Sequence, residues 1–110
     1  MSEEQQELID RIYAELEKVI DPELGVDIVN LGLVYGVDLD EKKNVFITMT
    51  LTAMGCPLAG TIVNDIKSAL KDLQEFGEIN EVDVEIVWNP PWDKSKMSRY
   101  AKIALGVPEN

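Results

Sequence analysis

Between residues 45 and 88 the hydrophobic period of the chain changes twice, and this limits the fold more than any other feature. From Val45 to Thr52 the period is two, with Val45, Ile47, Met49 and Leu51 on one face and Phe46, Thr48, Thr50 and Thr52 on the other, which predicts a strand. Past Gly55 the spacing becomes three and four, through Leu58, Ile62, Ile66, Ala69 or Leu70, and Leu73. With Gly77 as a stop signal, this predicts an amphipathic helix. Val82, Val84, Ile86 and Trp88 then alternate with Asp83, Glu85 and Val87, predicting a further strand with one buried face. A strand, helix, strand crossover is right-handed and sets its two strands parallel.

Upstream, Tyr35, Val37 and Leu39 alternate with Gly36 and Asp38, and the polar turn Asp40 to Asn44 leads into the Val45 strand, so these two strands are expected to form an antiparallel hairpin. Ser2-Glu3-Glu4-Gln5 has capping-box spacing, and Leu8, Ile9, Ile12, Leu16, Val19 and Ile20 form one apolar stripe, a first helix expected to end at Asp21-Pro22. The segment from Asp21 to Gly36 reads as a structured loop with turn glycines at Gly25 and Gly32. Pro90 and Pro91 stop regular structure after Trp88, and Ser95 is expected to cap a final helix including Met97, Tyr100, Ile103 and Ala104 that ends near Gly106. Core packing is favoured for Trp88, whereas Trp92 can equally be the lid of a pocket. The expected fold class is α+β: one domain over residues 1–110, a two-layer α/β sandwich in the order α-β-β-α-β-(α), with a small mixed sheet and helices packed on one face.

A chain of 110 residues buries roughly 65% of its unfolded surface, so no staple is required. The single cysteine permits no internal disulfide or C-x-x-C redox pair, and the absence of histidine removes Cys-His and Ser-His pairs and His-ligated metal sites. No glycine-rich nucleotide motif is present, so no nucleotide cofactor is expected. The formal net charge of −11 repels phosphate backbones and argues against nucleic acid or an anionic membrane as partner. Without a signal peptide or a membrane-length apolar run, the expected location is the cytoplasm, where a free thiol stays reduced. Residues 93–110 carry four cations against two carboxylates, leaving −13 for the first 92 residues. This tail either folds back on the acidic body, meets a partner or presents a solvated helix face.

The only cysteine, Cys56, stands where the strand gives way to the helix, and Pro57 suits the first helical position, placing Cys56 at or beside the N-cap. There the helix's positive end favours the thiolate. The alternative is a small buried hydrophobe. Asp21 and Glu23 are candidates for acid, base or hard metal ligands near Cys56; alternatively Asp21 caps a turn and the others, Asp27 first among them, face water.

Three stretches, Ile20-Asp-Pro-Glu-Leu-Gly-Val-Asp-Ile-Val-Asn-Leu-Gly-Leu-Val-Tyr35, Thr50-x-Thr-x-x-x-Cys-Pro-Leu58 and Trp88-x-Pro-Pro-Trp-x-x-x-x-Met97, resemble the metal-sulfur cluster assembly family of SufT/PaaD-like small domains. The likeness covers essentially the whole chain. It lacks the cysteine-rich C-terminal extension of PaaD-like members and any fused ATPase domain, and so is most similar to the stand-alone SufT-like branch. The resemblance implies an accessory of iron-sulfur cluster assembly, not an enzyme, that carries or targets clusters to recipient apoproteins. It maps the family's reactive cysteine to Cys56, its acidic loop residues to Asp21 and Glu23, and its strand-end threonine to Thr52. Implied with it are a transient iron-sulfur cluster contacting Cys56 and partners among cluster carriers, scaffolds and apoprotein clients; a homodimer would pool two Cys56 sulfurs. Two other functions compete: a thiol-dependent enzyme with Cys56 as nucleophile and Asp21 or Glu23 moving the proton, and an acidic adaptor with an incidental cysteine.

Overall fold

The computed structural model describes residues 3–21, 24–51 and 59–106. Helix α1 (Glu3–Leu16) opens with Glu3 and Glu4 in its first turn, where they suit the positive helix end, and buries Ile9, Ile12 and Leu16. Ser2, expected to cap it, lies outside the described residues. The helix stops four residues short of Ile20. Instead of helical bonds, Ile28 N–H donates to the Val19 carbonyl and Asp21 N–H to the Val26 carbonyl, both at 3.0 Å. Ile20 and Asp27 thereby form an antiparallel bridge, and Ile20, counted above in the apolar stripe, is 46% exposed.

Strands β1 (Val34–Leu39), β2 (Val45–Met49) and β3 (Val82–Ile86) form one sheet in that order, β1 antiparallel to β2 and β2 parallel to β3. The hairpin and the crossover are thus as the periodicity predicts. A register shift between Val34 and Gly36 bulges β1. At the β1–β2 turn the Asp40 carboxylate accepts from Lys42 N–H, Asn44 N–H and Asn44 Nδ2 at 2.8–2.9 Å. These bonds hold its carboxyl below the ordinary value. Val45, Ile47 and Met49 are buried with Ile12, Leu16, Ile62, Ile66 and Leu70 in a single core, whereas Phe46 on the opposite face is 42% exposed. Helices therefore cover one face of the sheet.

The helix expected from Leu58 to Leu73 is in fact two, α2 (Ala59–Ala69) and α3 (Lys71–Glu75), separated at Leu70. Leu70 N–H still reaches the Ile66 carbonyl and Gln74 N–H the Leu70 carbonyl, so the apolar spacing runs through the break. Gly77, at φ +74°, ends α3 as expected. After a 3-10 turn (Lys94–Lys96), α4 (Arg99–Leu105) completes the two-layer α+β fold. Its N-cap is Ser98, not Ser95, because the Ser98 hydroxyl accepts from Ala101 N–H at 3.2 Å. Ser95 instead bonds Asp93, which caps the 3-10 turn. Met97 is buried ahead of the helix.

Candidate functional site

The pairings Val34↔Met49 and Met49↔Ile86 put the start of β1 and the ends of β2 and β3 at one end of the sheet. Each of the three sequence stretches singled out above meets this end. Thr50, one residue past β2, donates its N–H to the Leu33 carbonyl at 2.9 Å, joining the second stretch to the first. Trp92 donates its indole N–H to the Leu31 carbonyl at 2.6 Å, and Tyr35 donates its hydroxyl to the Pro90 carbonyl at 2.7 Å, joining the third to the first. Lys96 Nζ stands 5.3 Å from the centre of the Tyr35 ring, a cation over its face.

Within the loop, Asp21 is 4% exposed and its Oδ1 accepts from Leu24 N–H at 3.1 Å, while Gly25 N–H returns to the Asp21 carbonyl at 2.8 Å. A turn with its carboxylate cap follows from these bonds. Asp27 does not face water as expected. It is 7% exposed, and its two oxygens accept from Asn30 N–H at 2.9 Å and Asn30 Nδ2 at 2.7 Å. Asn30 in turn accepts from the Ser98 hydroxyl, so Asp27, Asn30 and Ser98 tie the loop to the cap of α4. Gly32, at φ +78°, is where the tail crosses most closely: a Cβ built there would fall on the Lys96 carbonyl. The tail therefore folds back on the body over this loop.

Of the predicted site residues, Trp92 lies within this arrangement, half-buried against the core, and Asp21 is buried in its own turn of the loop. Glu23, Thr52 and Cys56, with Pro22 and Pro57, lie outside the described residues. Leu51, the last described residue before Cys56, is buried. Core packing, expected for Trp88, is found instead at Trp92. Trp88 is 40% exposed because β3 ends at Ile86, two residues before it, so the covered face of the sheet does not reach it.

Thr50 was not singled out by its pattern, which groups it with Phe46 and Thr48. It is fully buried, and its hydroxyl has no hydrogen-bond partner among the described residues. Sequence offers one signal for it, its position in the Thr50-x-Thr stretch six residues before Cys56. Among the described residues no group of three or more Cys, Asp or Glu side chains is placed to hold a metal ion, and no helix is long and apolar enough to cross a membrane. A surface hollow of about 140 Å³, lined by Glu4, Leu8, Leu39, Asp40 and Lys43 among others, lies at the opposite end of the sheet, beside the β1–β2 turn.

Residues 9–84 match the model of the family described as iron-sulfur cluster assembly protein. The chain is 63% identical over 100 residues to the Fe-S protein maturation auxiliary factor YitW of Bacillus subtilis, covering 91% of this chain and 95% of that one. It is 57% identical over 89 residues to the Fe-S protein maturation auxiliary factor SufT of Staphylococcus aureus, covering 81% and 98%. A crystal structure of a domain of unknown function, DUF59, from Bacillus anthracis superimposes with a TM-score of 0.85 at 59% identity, covering 94% of this chain and 96% of that one.

Proposed function

The chain belongs to the iron-sulfur cluster assembly protein family, and we propose that it is a maturation accessory that carries or targets clusters to recipient apoproteins. It acts through Cys56 and protein contacts, in the cytoplasm, and not as an enzyme. The observation that carries this reading is the similarity to two proteins called Fe-S maturation auxiliary factors, which spans 91% and 81% of this chain and nearly all of theirs.

The cluster is cargo. Iron-sulfur clusters are held mainly by thiolates, typically four, and this chain has one. A cluster in transit must borrow ligands from a second copy, a carboxylate or a small thiol, or stay on a carrier while Cys56 touches it briefly. Either arrangement is weak enough to release the cluster. The convergence of the Leu31–Tyr35 segment, Thr50 and the Trp92 segment on one end of the sheet favours a contact surface there, and the acidic body suits a basic patch on a carrier or client. A nucleophilic enzyme is disfavoured because the chain has no histidine to act as base for the thiol.

The test is complementation of a strain lacking this gene with the wild type or Cys56→Ser at matched levels, assaying cluster occupancy of several unrelated iron-sulfur enzymes. We expect the wild type to restore occupancy and Cys56→Ser, accumulating normally, to leave the enzymes under-filled. Full recovery with Cys56→Ser would remove the thiol from the function, and a deletion strain with no cluster defect would overturn the proposal.

A further inference from the structure

Helix α4 is apolar on two sides. Ala101 is fully buried, yet Tyr100 and Ile103, one turn apart, are 64% and 66% exposed. Two large apolar side chains thus stand in solvent on the outward side of the helix. The cations of the 93–110 segment, Lys94, Lys96, Arg99 and Lys102, lie on or just before this helix. The bare face of the sheet has the reverse chemistry. Its register sets Asp38 and Asp83 directly across from Phe46 on the two neighbouring strands, so an exposed aromatic ring on the central strand is flanked by two exposed carboxylates.

We propose that the outward face of α4 in one copy docks on the Phe46 face of the sheet in a second copy. Each face offers an apolar centre, and the surrounding charges are of opposite sign, so unlike faces attract while like faces repel. Both halves belong to the same chain, so every copy brings both in equal number. The size of the sheet face sets the strength. Three strands about 4.8 Å apart and five or six residues long at about 3.3 Å each give a footprint of a few hundred Å². This is below the roughly 800 Å² per partner of a stable complex, so the association is weak, reversible and dependent on charge.

The experiment is sedimentation of the full chain from micromolar to millimolar concentration, at low and at high salt. We expect concentration-dependent association that weakens about tenfold or more at high salt. Phe46→Glu and Ile103→Glu are each expected to abolish it while keeping the circular dichroism and melting temperature of the wild type. Mixing these two variants should restore a complex, because each supplies the face the other has lost. If Phe46→Glu fails to fold, Asp83→Lys, at an exposed site, is expected to weaken association about tenfold. A chain that stays monomeric up to millimolar concentration, association indifferent to the substitutions, or a mixture that forms no complex would each overturn the proposal. None of these substitutions changes Cys56, and the readout is association rather than cluster occupancy, so the outcome is separable from the thiol test above.

Discussion

Ser98 holds Asn30 at two points: its backbone N–H donates to the Asn30 carbonyl at 2.7 Å, and its hydroxyl donates to Asn30 Oδ1, also at 2.7 Å. Asn30 passes the connection to the buried Asp27 carboxylate. Removing the Asn30 amide leaves that carboxylate short of a donor, so Asn30→Ala is expected to lower the unfolding free energy by about 1–3 kcal/mol. Ser98→Ala, which also removes the cap of α4, should cost about 1 kcal/mol. Urea unfolding checks both. The double variant should lose less than the two single losses combined, and strict additivity would argue against a shared network.

Gly32 and Gly25 offer an internal comparison, because both have positive φ but only Gly32 faces a neighbouring backbone. Gly25→Ala, with nothing within 4 Å of its new Cβ, should cost only the left-handed backbone penalty of about 1–2 kcal/mol. Gly32→Ala adds a collision with the Lys96 carbonyl and should cost clearly more, about 3 kcal/mol or above. Equal losses in urea titrations would mean that the tail yields at Gly32 without penalty.

Thr50→Val replaces a fully buried hydroxyl that has no partner among the described residues by a methyl of similar shape. Stability should rise by about 1 kcal/mol, read from the urea midpoint. Cluster occupancy in the complemented strain is the second measurement. If it falls while the protein is more stable, the hydroxyl takes part in function.

The Arg11 guanidinium meets the Glu78 carboxylate with both nitrogens at 2.5 Å and holds its carboxyl below the ordinary value. A carboxyl depressed in the folded state contributes stability above its unfolded pKa of roughly 4.3 and loses it as pH falls through the lower folded value. The stability difference between the wild type and Glu78→Gln should therefore be constant near neutrality and shrink below about pH 4. Taking the difference removes the general effect of titrating the acidic surface. A difference that grew on acidification would reverse the sign and refute the assignment.

The parts of the fold set by local repetition were legible in advance. Alternation at Val45, Ile47 and Met49 and the three-and-four spacing through Ile62, Ile66 and Leu70 specify the hairpin, the crossover and the covered face, and the structure has all three. Features set by distant partners were not legible. Ile20 looks helical until Val19 and Asp21 find Ile28 and Val26. Ser95 and Ser98 are equivalent caps by composition, and Asn30, 68 residues away, distinguishes them. The tryptophans are separated in the same way by the Leu31 carbonyl, 61 residues from Trp92. Trp92 at the site and Asp21 in the loop stand out by residue type, while the burial of Asp27 and Thr50 depends on chain that crosses from elsewhere.

The return of the tail over Leu31, Gly32 and Tyr35 bears on where the folding unit ends. The family match stops at residue 84, and a fragment cut there would keep α1 through α3 and most of the sheet. It would also lose the indole that satisfies the Leu31 carbonyl, the Ser98 anchor of Asn30 and the buried Met97 and Ala101, stripping one wall from the end where the three stretches converge. Residues 85–106 are thus masonry rather than trailing rope, and recombinant boundaries drawn from the shared family region alone would produce a roofless molecule.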